Sequence, residues 1–243
     1  MVARFASVLL PLLFAVAALA GDFDTTFPED PNKEAVIRHL RLALGPIDGA
    51  ARVYAVAECH GSQATQLPRV TLQSPRKTNT GIGAVREIFL KDKQTRVTLD
   101  RTGMPRIRIG NAPSALLRTK IHQLRFTPQE RYNILSAELA IENTKEVQAA
   151  VRRLKLKEPV TVISELIQEP MQGVPHLPAS ISDVTMDEAL DLLAKTFACV
   201  IFYEECTDPE GGRFFTIHQG CIVCGPWRHT PREASRLNVP LVK

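Results

Sequence analysis

The sequence lacks the short motifs that identify common catalytic centres. It contains no H-E-x-x-H, no G-x-S-x-G and no convincing pair of a nucleophile and a base. Residues 80–86 have two glycines in the manner of a phosphate-binding loop, but a third glycine is missing and no strand precedes them. We therefore expect a protein that is not an enzyme and has no cofactor.

The chain also has little excess charge and few long apolar runs. Its formal net charge is +4, and +3 over residues 21–243, because Arg4 is the one charged residue before them. Such a mild balance does not favour a nucleic-acid partner. After residue 20 no apolar run approaches the roughly 20 residues of a membrane helix. We expect no nucleic-acid partner and no membrane span in the mature chain.

Residues 1–20 have the features of a cleavable export signal peptide. Arg4 supplies the positive end, residues 5–16 the apolar stretch, and residues 18–20 (Ala-Leu-Ala) the cleavage site. The alternative is an uncleaved membrane anchor, for which the apolar run is short. No cysteine stands at the cleavage site to carry a lipid. The sequence predicts an exported protein of residues 21–243.

The mature chain is predicted to have an α+β fold, with two small β-α-β-β modules separated by a helical segment. We also expect strands at 69–73 and 160–167 and a helix at 111–126. Helix starts are indicated at Thr127, Asn143 and Thr185, where a glutamate follows three positions later. The expected divisions are a linker at 21–31, a helix and first module at 32–110, a helical segment at 111–158, a second module at 159–220 and an irregular cysteine-containing tail at 221–243.

The two modules have similar patterns. Residues 67–109 and 177–217 both begin Leu-Pro and then follow the order strand, amphipathic helix, strand, glycine-containing turn, strand. The alternative is that any two β-α-β-β segments share such a pattern. A unit of this size leaves strand edges open to pairing with a partner.

Residues 181–197 (ISDVTMDEALDLLAKTF), followed by residues 200–203, resemble the short N-terminal domain of secretins and TonB-dependent receptors. The resemblance covers residues 177–217 and, more weakly, 67–109. It implies a periplasmic assembly or signal-relay module in the cell envelope, which binds a protein partner or another copy of itself and has no enzymatic activity. We expect no pore-forming part of that family within the 243 residues.

Five cysteines suit an exported protein with disulfides, and their odd number leaves one unpaired. If Cys206 lies opposite residue 214 in a hairpin, Cys199 lies opposite residue 221. A disulfide from Cys199 to Cys221 or Cys224 is then expected. Cys206 would be free, or would meet Cys59 from the other half of the chain.

Two other roles remain open for the cysteine-rich end. A zinc site would use Cys206, His218, Cys221 and Cys224. A redox role for the C-x-x-C at 221–224 would need a helix, and the following Gly225-Pro226 does not favour one. A small metal- or thiol-dependent periplasmic protein is therefore an alternative function.

A basic strand face gives a third hypothesis. Arg106 and Arg108 alternate with Ile107 and Ile109, so both arginines lie on one face of the strand. They would bind an acidic partner or another anionic ligand, or would simply form the solvated face of a one-sided sheet.

Overall fold

The structure, a computed structural model, describes residues 30–44, 49–60, 64–75, 81–112, 115–157 and 175–221. Its helices are α1 Pro31–Leu44, α2 Gly81–Ile88, α3 Pro128–Tyr132, α4 Ile134–Glu142, α5 Lys145–Leu154 and α6 Met186–Thr196. Its strands are β1 Ala51–Val56, β2 Glu58–His60, β3 Ala64–Gln66, β4 Thr95–Leu99, β5 Pro105–Ile109, β6 Lys120–Arg125, β7 Leu156–Lys157, β8 Ser180–Thr185, β9 Cys199–Thr207 and β10 Arg213–Cys221. This content confirms the predicted α+β class. In these ranges no helix is long and apolar enough to cross a membrane.

A six-stranded mixed sheet in the order β4-β5-β1-β9-β10-β7 organises the fold. The central strand β1 is parallel to both of its neighbours, β5 and β9. Two antiparallel hairpins, β4–β5 and β9–β10, therefore flank it. Because helices cover both faces, five of the six β1 residues are buried.

One face of the sheet packs against α1 and α2. Helix α1 buries Val36, Ile37, Leu40 and Ala43, a spacing that places them on one side of the helix. They pack with Val53, Ile107 and Phe202 from the sheet and with α2. The contact is close at Gly220, where an added Cβ would overlap the side chain of Ile37.

The other face packs against α4, α5 and α6. Its core contains Tyr54, Tyr203 and Phe215 from the sheet. Buried residues of these helices and of the segments around them complete it, among them Ala137, Ile141, Val147, Leu190 and Leu193.

Two of the three predicted helix starts have the expected side-chain caps. Thr185 Oγ1 accepts a hydrogen bond from Glu188 N over 3.2 Å, and Thr185 N donates to Glu188 Oε2 over 2.7 Å. Thr127 and Glu130 form the same reciprocal pair at α3. Helix α5 begins after Thr144, one residue later than predicted, because Asn143 ends α4; the Thr144 hydroxyl donates to Ile141 O and does not cap α5.

Two predicted elements differ in the structure. Residues 120–125, expected to end a helix, form β6, whose ladder with β8 outweighs their local helical spacing. Residues 69–73, expected as a strand, have no regular structure. Their amides instead bond elsewhere, Thr71 N to Asp92 Oδ2 and Gln73 N to Ile88 O. The strand expected at 160–167 lies outside the described residues.

The two similar segments contribute to the same sheet. Residues 180–221 have the predicted order of strand, helix, strand and strand, and α2, β4 and β5 follow one another in the first segment. The two hairpins differ in which strand lies beside β1. It is the second strand, β5, in the first hairpin, and the first strand, β9, in the second hairpin. Strands from both predicted modules thus lie in one sheet.

Candidate binding surface

The predicted basic strand face exists and is wider than the sequence indicated. Arg52 lies beside Arg106, and Tyr54 beside Arg108, in the parallel register of β1 and β5. Arg96 of β4 lies opposite Arg108. Since neighbouring residues in register share a face, these side chains form one surface on the side of α6. We call the surface of Arg52, Tyr54, Arg96, Arg106 and Arg108 the arginine face.

Two carboxylates of α6 neutralise part of the arginine face. The fully buried Arg52 donates from Nη1 to Asp191 Oδ1 over 3.0 Å, and its Nη2 lies 3.3 Å from Asp187 Oδ1. Arg106 bonds to the same two groups, with 2.6 Å between its Nη1 and Asp187 Oδ2. The charge of Arg106 is therefore neutralised within the chain, and its binding of an external anionic ligand stays a prediction.

Tyr54 is the centre of this arrangement. Its hydroxyl donates to Asp187 Oδ1 over 2.9 Å. The guanidinium carbons of Arg52 and Arg108 lie 5.1 Å and 5.2 Å from the ring centroid, within cation–π range. Burial raises the pKa of the Tyr54 hydroxyl, so it stays a neutral donor.

Arg96 and Arg108 lie outside the neutralised part. Both side chains are exposed, and they face each other across the β4–β5 pair. Arg108 donates to Ala112 O over 3.2 Å, and among the described residues neither arginine forms an ion pair. Directly opposed like charges destabilise a strand pair, so this end of the arginine face favours an anion.

Strand β4 forms one end of the sheet in the part of the chain that the structure describes. Gly110 N donates to Gln94 O, and Asp100 N donates to Met104 O, each over 3.0 Å. Residues 94 and 100 therefore form hydrogen-bonded pairs with residues 110 and 104. Because hydrogen-bonded and non-hydrogen-bonded pairs alternate along an antiparallel ladder, the backbone N–H and C=O groups of Arg96 and Thr98 also face β5. Those of residues 95, 97 and 99 therefore point outward, away from the sheet.

The cysteines form a different disulfide from the one expected first. Cys59 and Cys206 are bonded, with 5.5 Å between their Cα atoms. Cys59 is the alternative partner that the sequence left open for Cys206. The predicted strand register is confirmed, with Cys206 opposite Phe214 and Cys199 opposite Cys221. Cys199 is buried and forms no disulfide within the described residues. Its disulfide to Cys221 or Cys224 stays a prediction, since both of those side chains lie outside the described residues.

The alternative zinc set is incomplete in this structure. Cys206 is held in the disulfide and is not available as a thiolate ligand. His218 is exposed on β10, with its ring 6.2 Å from that of Phe202. No group of three or more histidine, cysteine or acidic residues with metal-binding geometry occurs in the described ranges.

Sequence patterns missed the buried partners of the arginine face. No motif in the sequence distinguishes Arg52 from other strand residues, or Asp187 and Asp191 from other helix residues. Their spacing of four residues, which places both carboxylates on one side of α6, was the available signal.

No family model, curated protein or solved structure matches this chain. The resemblance of residues 177–217 to the secretin and TonB-receptor domain therefore stays a prediction. The arginine face, the outward edge of β4 and the Cys59–Cys206 disulfide are the features from which we infer a function.

Proposed function

We propose that this chain is an exported, non-enzymatic protein of the cell envelope that binds a protein partner by strand addition at β4. The observation that carries the proposal is the outward direction of the backbone groups of Thr95, Val97 and Leu99 at the end of the sheet. An extended partner segment would complete their hydrogen bonds.

The side chains of β4 support the same proposal. Leu99 is 42% exposed, and Val97 is only partly covered by the core of the α1 face. A further strand would bury more of both residues. Arg96 places a charge on the edge, a feature that discourages indiscriminate pairing of open strands.

Two observations support export. Residues 1–20 have the pattern of a signal peptide. The Cys59–Cys206 disulfide is typical of proteins that fold in an oxidising compartment. The periplasm is the location that we propose, on the resemblance of residues 177–217 to periplasmic modules.

Hydrogen exchange of individual amides tests strand addition directly. The probe is a capped eight-residue peptide that alternates valine and glutamine. We expect the amides of residues 95, 97 and 99 to exchange fast in the free protein and to become protected with peptide, while those of 96 and 98 stay protected throughout. Outward amides that are already protected, or that saturating peptide leaves unchanged, would overturn the proposal.

A matched pair of variants supplies the control. Val97→Pro removes an outward donor and leaves the β4–β5 ladder in place, so we expect peptide affinity to fall at least about 5-fold. Val97→Ala keeps the donor and loses only part of the apolar contact, so it should bind more tightly than Val97→Pro. Equal affinity of the two variants would exclude the β4 edge.

A further inference from the structure

We infer that the strand added at β4 belongs to an acidic partner segment, in which acidic and apolar side chains alternate. The inference rests on the proposed strand addition and names the class of partner. It follows from the different chemistry of the two sheet faces that meet at β4.

The two faces at β4 select the side chains of a neighbouring strand. Val97 lies in register with Ile107 on the apolar α1 face, and Arg96 with Arg108 on the arginine face. A strand beside β4 sends alternate side chains to these two faces. Its residue opposite Arg96 has a Cβ about 5 Å from that of Arg96, so a carboxylate there reaches the guanidinium.

The charge balance of the arginine face identifies the sign of the ligand. Asp187 and Asp191 neutralise Arg52 and Arg106. Arg96 and Arg108 have no carboxylate partner among the described residues and are opposed across a strand pair. Arg96 therefore places a positive charge on the edge strand, and Arg108, one strand further in with its guanidinium over the Tyr54 ring, adds to the positive potential beside it. A carboxylate from the partner strand would compensate this charge.

A second copy of β4 is a poor occupant of the same edge. Two β4 strands paired antiparallel about an axis normal to the sheet would continue the same face from one copy to the other. Arg96 and Arg108 of each copy would then lie on one shared surface. The resulting like-charge contact disfavours self-pairing and favours a different, acidic chain.

Two peptide probes separate this inference from the proposed function. One alternates valine with glutamate and the other valine with glutamine, both capped and eight residues long. We expect the glutamate peptide to bind about 3- to 10-fold more tightly at low salt and to lose this advantage as the salt concentration approaches 1 M. Equal binding of both peptides, with residues 95, 97 and 99 protected, would overturn the acidic preference alone. Absence of binding by either peptide would overturn strand addition itself.

Charge variants assign the preference to residues. Arg96→Gln and Arg108→Gln should each lower the affinity for the glutamate peptide about 2- to 5-fold and leave the glutamine peptide unaffected. Lys93→Gln, an exposed lysine in the turn before β4, removes the same charge away from the arginine face and should change neither affinity. An equal loss in all three variants would show a non-specific charge effect and contradict the inference. Dimerisation of the protein through protected β4 amides would instead identify a second copy as the occupant and overturn it.

Discussion

Burial changes the chemistry of single side chains on the side of the sheet that faces α4 and α6. Glu138 of α4 is buried and accepts a hydrogen bond from Gln219 Nε2. Burial raises the pKa of its carboxyl to about 7, although the Gln219 bond and the charge of Arg52 act in the opposite direction. Burial also raises the pKa of the nearby Cys199 thiol, with Glu138 as a second cause, so this thiol is not activated as a nucleophile.

The raised pKa of Glu138 gives a pH dependence of stability. Between about pH 4.5, the ordinary value, and about pH 7 the folded state binds more protons than the unfolded state. The free energy of unfolding therefore falls as pH rises through this window. Glu138→Gln imitates the protonated form, so we expect it to gain about 2–3 kcal/mol relative to the natural protein between pH 4 and pH 8. Urea unfolding at several pH values measures the difference, and parallel profiles for the two proteins would contradict it.

At the scale of elements, charge holds helix α6 against the sheet. Asp187 and Asp191 contact the arginines of β1 and β5, and Lys195 Nζ lies 3.1 Å from Asp100 Oδ2 in the β4–β5 turn. These contacts join the second similar segment to the first. They also pair the guanidinium of Arg106 with carboxylates, so Arg106 is not available to a ligand at the β4 edge.

Removal of one carboxylate tests this attachment. Asp191→Asn leaves the fully buried Arg52 without its closest charged partner, and we expect the free energy of unfolding to fall by about 2–4 kcal/mol. Asp183→Asn is the control, because its ion pair with Lys120 is exposed to solvent, and we expect no measurable change in the free energy of unfolding. Chemical denaturation of the two variants gives the comparison, and equal losses would contradict a special role for the buried pair.

Local signals identified some elements and misidentified others. The Thr185–Glu188 capping box predicted the start of α6, because the cap and the helix are formed by neighbouring residues. The same kind of local evidence failed at β6, where pairing with β8, some 60 residues later, decides the structure. For the arginine face, the alternation in β5 predicted Arg106 and Arg108. Arg52 and Arg96 join them through strand register, which the sequence does not specify.

For the whole molecule, the Cys59–Cys206 disulfide joins distant parts of the chain. The two residues are 147 positions apart, and the bond connects β2 to the end of β9. A loop of this length removes much entropy from the unfolded chain, so such a bond contributes up to about 5 kcal/mol. It also helps to hold β1 beside β9, where Ala57 N donates to Glu205 O over 2.9 Å.

Loss of this disulfide should lower stability without unlinking the sheet. For the double variant Cys59→Ala, Cys206→Ala we expect the free energy of unfolding to fall by about 2–5 kcal/mol. Reductant should lower the stability of the natural protein to a similar extent and have little effect on the variant. Thiol titration of the denatured, unreduced natural protein belongs to the same experiment. Three free thiols would leave Cys199 unpaired, and one would indicate the additional bond to Cys221 or Cys224. Undiminished stability of the variant would contradict the assigned role of the bond.

The sequence by itself determined what depends on neighbouring residues: the α+β class, the capped helix starts, the two hairpins, and the alternation that places Arg106 and Arg108 on one face. The tertiary structure decided which distant segments meet. It joined both hairpins to β1 in one sheet, paired Cys59 with Cys206, and neutralised Arg106 with Asp187 and Asp191 while Arg96 on β4 and Arg108 on β5 stayed exposed. The physical reason is range, since helix caps and strand alternation act over a few residues, whereas register and ion pairing depend on the packing of segments that are far apart in the chain.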